Sequence, residues 1–229
     1  MDQRINFVFL HVGEDTRPNL LVKSIRKYFD KPYIYQCTDL ASKEVDGVDK
    51  VFRYDGDIKN LMTFRLEAFS SLNIDEKAIY LDTDMLVINK FDIDINHYDA
   101  ILCKRSFDLD NLFNTSFRGM DLSEYQNMTL GDVYPFLACF TVTKSSAFWK
   151  EACNILKSLD KKFHYWYGDQ EALKIIQAKN MFNIDTVQES IFACLPEQAD
   201  KFNLPNIIHF KGAARKNFML DVSAQIGLI

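Results

Sequence analysis

Glycine is scarce, with 8 in a chain of 229 residues, and none lies in a G-x-G-x-x-G fingerprint or a phosphate-cradling P-loop. Dinucleotide-fingerprint and P-loop ATPase readings therefore have no foothold. No run approaches the ~20 consecutive apolar residues of a spanning helix, so no transmembrane segment is expected. Met1-Asp2-Gln3-Arg4 leads straight into a strand-like run, with no apolar leader segment. The 5 cysteines, Cys37, Cys103, Cys139, Cys153 and Cys194, are odd in number, widely spaced and free of any C-x-x-C pair. That excludes a disulfide framework and a zinc ribbon, and it points to a reducing, cytoplasmic compartment. Positive charge is also short. A formal charge of −5 argues against a nucleic-acid partner held by a broad basic face. Apolar residues are abundant at 48%, including 19 Phe, and a chain of this length can bury a sizeable core without staples. One domain over residues 1–229 is expected.

Ile5 to His11 is a continuous apolar run of the kind a buried parallel strand gives. It breaks at Val12-Gly13-Glu14-Asp15-Thr16; Pro18 then falls near a first helical position, and Leu21, Ile25, Tyr28 and Phe29 follow at helical spacing. Further strands are expected at 33–38, 50–54, 78–81, 100–103 and 137–143, with short ones at 181–187, 191–194 and 206–210. Helices are expected over 58–72, from a Ser145 or Ser146 cap through Leu159, and from Gly168 to Lys179. This alternation predicts an α/β fold with a mostly parallel central sheet flanked by helices. Residues 104–134 are polar and aperiodic, a long excursion of the kind that folds over a site.

Four Asp-x-Asp pairs occur, Asp55/Asp57, Asp82/Asp84, Asp92/Asp94 and Asp108/Asp110, so the spelling alone distinguishes none of them. Context singles out Asp82-Thr83-Asp84. It follows the apolar Ala78-Ile79-Tyr80-Leu81 and precedes a second apolar run, Met85 to Ile88. Ligands of open α/β sheets bind outside the carboxyl ends of strands, and two carboxylates can share one divalent cation where the backbone turns between them. The bland alternative is a polar corner. A second constellation is Asn206-Ile207-Ile208-His209-Phe210-Lys211-Gly212, followed by Arg215 and Lys216. A histidine and three cations around a glycine suit a phosphate, though singly they also read as an edge histidine and a solvated tail. In Trp166-Tyr167-Gly168-Asp169-Gln170-Glu171, Asp169 serves equally as a helix N-cap, and the two aromatics could stack on a sugar ring. Arg65, in the 58–72 helix, reads by itself as a solvent-facing charge.

In this order these pieces resemble the GT-A glycosyltransferases, most closely the family-8-type retaining galactosyl- and glucosyltransferases. Asp82-Thr83-Asp84 matches the D-x-D motif. His209-Phe210-Lys211-Gly212 with Lys216 matches the late H-F-x-G segment. Asp169-Gln170-Glu171-Ala172-Leu173 matches D-Q-acid-x-L, and Arg65-Leu66 matches the R-L pair before the D-x-D. The resemblance implies a GT-A, Rossmann-like fold and a nucleotide-diphosphate-sugar donor, most often a UDP-sugar. It also implies a saccharide or glycoconjugate acceptor and an Mn²⁺ or Mg²⁺ ion. By carry-over, Asp82, Asp84 and His209 hold the metal, and Lys216 neutralises charge on the departing diphosphate. Arg65 steadies the donor, and Thr83, Lys211 and Gly212 complete the donor-contacting set. Asp169 binds the transferred sugar or the acceptor, and the loop containing His11, Gly13 and Asp15 lies against the nucleotide. Residues 104–134 become the acceptor-side excursion.

The chain departs from the family pattern at Phe136–Phe140, where an Asn-x-Gly-type stretch is usual, and at Asn217-Phe218 in place of Pro-Trp. The loop after the first strand lacks the usual Asp/Asn-Tyr. The resemblance thus points to a donor class more than to one sugar. Two rival readings stand beside it. A haloacid-dehalogenase-type phosphatase also places D-x-D after an apolar strand, but there Gly-Thr follows and the motif sits near the start of the chain. A non-catalytic nucleotide-sugar-binding module would keep the same ligands without turnover.

Overall fold

A computed structural model describes residues 4–201 and 205–229. Met1 to Gln3, which precede the first expected strand, lie outside the described residues, as do residues 202–204. The first strand, β1 (Ile5–Leu10), sends Phe7 and Phe9 to one face and Val8 to the other, and all three are buried. Residues alternating along a strand point to opposite faces, so β1 feeds two cores at once. Helix α1 (Arg17–Tyr28) takes Pro18 in its first turn, where the missing N–H costs nothing. Its Leu21, Val22 and Ile25 pack on the Phe7/Phe9 face.

Strands β2 (Pro32–Thr38) and β3 (Lys50–Arg53) follow. Helix α2 (Leu61–Ser71) starts three residues later than the apolar spacing suggests. Asp57 holds the preceding residues in a turn, accepting from Lys59 N at 2.9 Å. Next come β4 (Ala78–Leu81), β5 (Met85–Val87) and β6 (Ala100–Lys104). The excursion contains two single 3₁₀ turns, at 117–119 and 123–125, and then α3 (Leu130–Val133). Strand β7 (Phe136–Thr143) is buried along its whole length. Helices α4 (Ala147–Ser158), α5 (Lys161–Tyr165) and α6 (Gly168–Ala178) come after it. Ser146 stands at the N-cap of α4 without capping it: its hydroxyl donates instead to Asp75 at 2.8 Å.

Strand β8 (Ile184–Gln188) begins later than expected, and the strand expected at 191–194 is absent. Residues 189–192 form one helical turn, α7 (Glu189–Phe192). That turn packs the half-buried Phe192 against Phe91 and Phe140 at 5.3 and 5.0 Å, leaving Cys194 to make a single bridge to Ile208. The chain closes with β9 (Ile207–His209), α8 (Ala213–Lys216) and α9 (Met219–Gln225).

The seven-stranded sheet has the order β3-β2-β1-β4-β7-β6-β8. Strand β7 is antiparallel to both its neighbours and every other adjacent pair is parallel, which gives the mostly parallel α/β sheet expected. On one face α2, α4 and α6 enclose a core around Phe69, Tyr80 and Trp149, whose rings lie 4.7–5.1 Å apart. A separate antiparallel pair, β5 with β9, stands just beyond the carboxyl end of β4. Among the described residues no helix is long and apolar enough to cross a membrane.

Candidate metal and donor site

The chain turns from the central sheet into the β5–β9 ribbon at Asp82-Thr83-Asp84. Asp82 N donates to Cys139 O at 3.0 Å, which fixes the start of the turn against β7. The ribbon register sets Met85 opposite His209, and Phe210 N donates to Asp84 O at 2.8 Å. A residue far along the chain is thereby brought beside the acidic pair by backbone pairing alone. One ligand atom each from Asp82, Asp84 and His209 lies within 4.8 Å of the other two. His209 Nε2 is 3.3 Å from Asp84 Oδ1, while its buried Nδ1 has no hydrogen-bond partner among the described residues. Two carboxylates and an imidazole form a hard-to-borderline donor set that suits Mn²⁺ or Mg²⁺.

Cations neutralise both carboxylates. Lys216 Nζ lies 2.9 Å from Asp84 Oδ2. Burial would raise the Asp84 pKa, but the hydrogen bond and charge of His209, with the Lys216 ammonium, hold it well below the usual carboxylate range. Burial would likewise lower the pKa of His209, and the Cys139 sulfur and Asp84 carboxylate beside the ring carry it well above the ordinary value.

Arg65 corrects the reading of a solvent-facing charge. It is buried at the centre of the site, where Nη2 lies 2.7 Å from Asp82 Oδ1 and also donates to Ala138 O at 2.9 Å. Its Nη1 donates to Asp169 Oδ2 at 3.1 Å. One guanidinium therefore ties the metal-side Asp82 to Asp169, using the fork geometry that only arginine offers. Asp169 is not an N-cap. Tyr167 occupies that position, and Asp169 sits inside the first turn of α6, accepting from Gln170 N at 2.7 Å. Burial raises the Asp169 pKa, with nearby Asp82 adding to the effect and Arg65 opposing it. Gly168 makes this placement possible, since a Cβ there would fall 2.2 Å from Phe163 O.

The β1 loop borders the same place. His11 is buried, and its backbone N donates to Cys37 O at 3.0 Å. Gly13 N donates to Ser42 Oγ at 2.7 Å. Asp15 accepts from Arg17 Nε at 2.6 Å and feels the charge of Lys216, and Arg17 in turn feels Asp84. Gly212 adopts φ +87° with nothing within 4 Å of its missing Cβ, so its backbone is open to a ligand. The structure thus gathers Asp82, Thr83, Asp84, His209, Lys216, Arg65 and Asp169 into one cluster with the β1 loop beside it.

Lys211 does not join the carboxylates of the triad. Its Nζ lies 3.5 Å from Glu189 Oε1 instead. Glu189 was not singled out from the sequence, yet its side chain is fully buried. Its Oε2 accepts from Ser106 N at 2.7 Å and Phe107 N at 2.9 Å, and among the described residues its Oε1 has no hydrogen bond. Arg105 was also missed. It is buried, donating to Tyr134 O at 2.9 Å and to Gln170 Oε1 at 3.1 Å. Burial depresses its pKa, with the Glu189 charge acting the other way. Arg105 follows β6 and Glu189 follows β8, as Asp82 follows β4; the strand-end rule was the signal that could have found both.

No family model matches the chain, and no curated protein matches it. Among solved structures, the glycosyltransferase GlyE of Streptococcus pneumoniae TIGR4 superimposes with a TM-score of 0.64 at 14% identity, over 98% of this chain and 62% of that one. Its apo form gives a TM-score of 0.63 with the same coverage. The chain therefore spans about 62% of the length of these neighbours. At this identity the likeness is one of fold: the chain shares the α/β fold of that glycosyltransferase.

Proposed function

We propose that the protein is a metal-dependent glycosyltransferase that moves a hexose from a nucleotide-diphosphate sugar, UDP-linked, to a saccharide or glycoconjugate acceptor. The observation that carries this reading is the convergence of Asp82, Asp84 and His209 within 4.8 Å at the carboxyl end of β4, with Lys216 and Arg65 at its edges. Asp82, Asp84 and His209 hold the Mn²⁺ or Mg²⁺ ion. When bound, such an ion supplies Lewis-acid stabilisation of a leaving diphosphate. Lys216, already at Asp84, turns its ammonium to the diphosphate as charge develops on the leaving oxygen. Arg65 pairs with Asp82 and orients it, and through its second nitrogen it sets Asp169 toward the transferred sugar. The β1 loop at His11, Gly13 and Asp15 receives the nucleotide, Gly212 lets the backbone approach the phosphates, and Lys211 and Thr83 complete the donor set.

The family resemblance supports transfer with retention of configuration and an acceptor side formed by residues 104–134. The five cysteines, all free and buried, suit the reducing cytoplasm proposed from the sequence. The phosphatase reading is weakened by Asp82, whose Oδ1 is taken up by Arg65 at 2.7 Å and so is poorly placed to attack as a free nucleophile. The test is UDP release from a panel of UDP-hexoses with Mn²⁺, with and without mixed oligosaccharide acceptors. Release that needs both Asp84 and metal, and that rises with one acceptor, fits the proposal. UDP-sugar binding without release in any combination would instead indicate the non-catalytic module.

A further inference from the structure

Among the described residues six non-glycine positions adopt positive φ: Asn73, Asp108, Arg118, Asn127, Tyr167 and Asn180. Asn and Asp take up this conformation readily, whereas other side chains do so under strain. The two exceptions, Arg118 and Tyr167, flank one aromatic ring. Phe117 lies 5.4 Å from Tyr167 and 5.5 Å from the Arg118 guanidinium carbon. That guanidinium is stacked on Trp166, 3.9 Å from the ring centroid. Strain that the surroundings hold in place marks functional positions.

Among the described residues Arg118 has no polar partner. Its side chain makes no hydrogen bond or ion pair with any of them, although the same excursion supplies several carboxylates. Glu124 is engaged with Lys162, Asp132 with Thr129 and Asp108 with Asn111. Stacking holds the guanidinium plane while leaving its N–H edges free, and those edges match a carboxylate or phosphate in bidentate fashion. Phe117, Trp166 and Tyr167 are half-buried and offer apolar ring surface beside it. Tyr167 directly precedes Gly168-Asp169, and Asp169 shares Arg65 with Asp82. The platform therefore borders the proposed reaction centre.

We propose that Arg118 on Trp166, with Phe117 and Tyr167, is a subsite for a pyranose carrying an anionic group, and that the acceptor is an acidic saccharide. The word acceptor rests on the glycosyltransferase reading; the anionic-sugar site does not. The two sources of the anion are a uronic-acid carboxylate and a sugar phosphate. The chain has 2 Trp, of which Trp149 is buried in the core and Trp166 is half-buried, so tryptophan emission reports on the platform. Glucuronic acid, glucose 6-phosphate and glucose are titrated in turn. The expected result is a shift in emission with at least one anionic sugar binding about tenfold tighter than glucose, the gain of one charge-assisted pair. The stronger of the two names the source.

Arg118→Asn should abolish that preference while keeping or raising the melting temperature, because Asn relieves the left-handed strain. Trp166→Phe should remove the signal. Equal binding of glucose, unchanged binding by Arg118→Asn, or no response to any of the three sugars would overturn the proposal. UDP calorimetry reads the donor site independently: if UDP fails while the anionic sugar binds, the donor reading falls and this site stands.

Discussion

The proposed donor side and the excursion are built by opposite means. At Asp82, Asp84 and His209 the backbone is held by bonds between distant segments, such as Asp82 N to Cys139 O at 3.0 Å and His209 N to Cys194 O at 2.8 Å. In residues 104–134 polar side chains mostly satisfy their own neighbours. Thr129 and Asp132 form a capping box, Asp121 accepts from Ser123 N at 3.0 Å, and Asn114 accepts from Ser116 N at 3.1 Å. Strand ends fix charges to within fractions of an ångström, which metal and phosphate chemistry requires. Locally closed turns can be altered without disturbing the sheet, as suits a surface that selects one partner among many. Glu189 joins the two regions, because its carboxylate holds the start of the excursion while facing Lys211.

The largest effect is expected on the donor side. Arg65→Met leaves Asp82 and Asp169 without their shared cation and should cost about 3–5 kcal/mol in urea denaturation, the usual range for breaking a buried pair. Glu189→Ala attacks the joint. Ser106 and Phe107 lose their acceptor, so stability should fall by about 1–3 kcal/mol, with hydrogen exchange rising first at those two amides. Thr129→Ala, wholly within the excursion, should cost about 1 kcal/mol and leave UDP binding unchanged. If it weakened UDP binding, the separation between the two regions would be wrong.

The smallest effect concerns pH. The pKa of Asp169 is raised by folding, so the native state binds its proton more tightly than the unfolded chain does. Its stabilising contribution is complete below the unfolded value of 3.8 and is lost as pH rises through the folded one. The stability advantage of wild type over Asp169→Asn should therefore shrink as pH rises from below 3.8 toward neutrality, measured by denaturation across that interval. An advantage that grew over that interval would contradict the raised pKa.

The contrast also governs what the sequence discloses. The sheet is legible because buried parallel strands are written as local apolar runs, and Asp82-Thr83-Asp84 stands out because it terminates one of them. The joining of His209 to that pair depends on the β5–β9 ladder, and the sequence indicated it only through an ordered set of short motifs. Arg65 lies on an apolar helix face that carries no mark of the two carboxylates awaiting it. Glu189 is a single acid in a polar stretch, and its burial exists only once β6, β8 and the 211 loop meet. The excursion shows no period because its order comes from caps and turns, each spelled in two to four residues.

The most direct test of the central claim is calorimetric titration of UDP into the wild-type protein and Asp84→Asn, with Mn²⁺ and with chelator. Metal-dependent binding that the substitution weakens by about 100-fold or more, near 2.7 kcal/mol, is the expected result. UDP binding that is indifferent to metal and to Asp84, or no binding in any state, would contradict a metal-held nucleotide at this site.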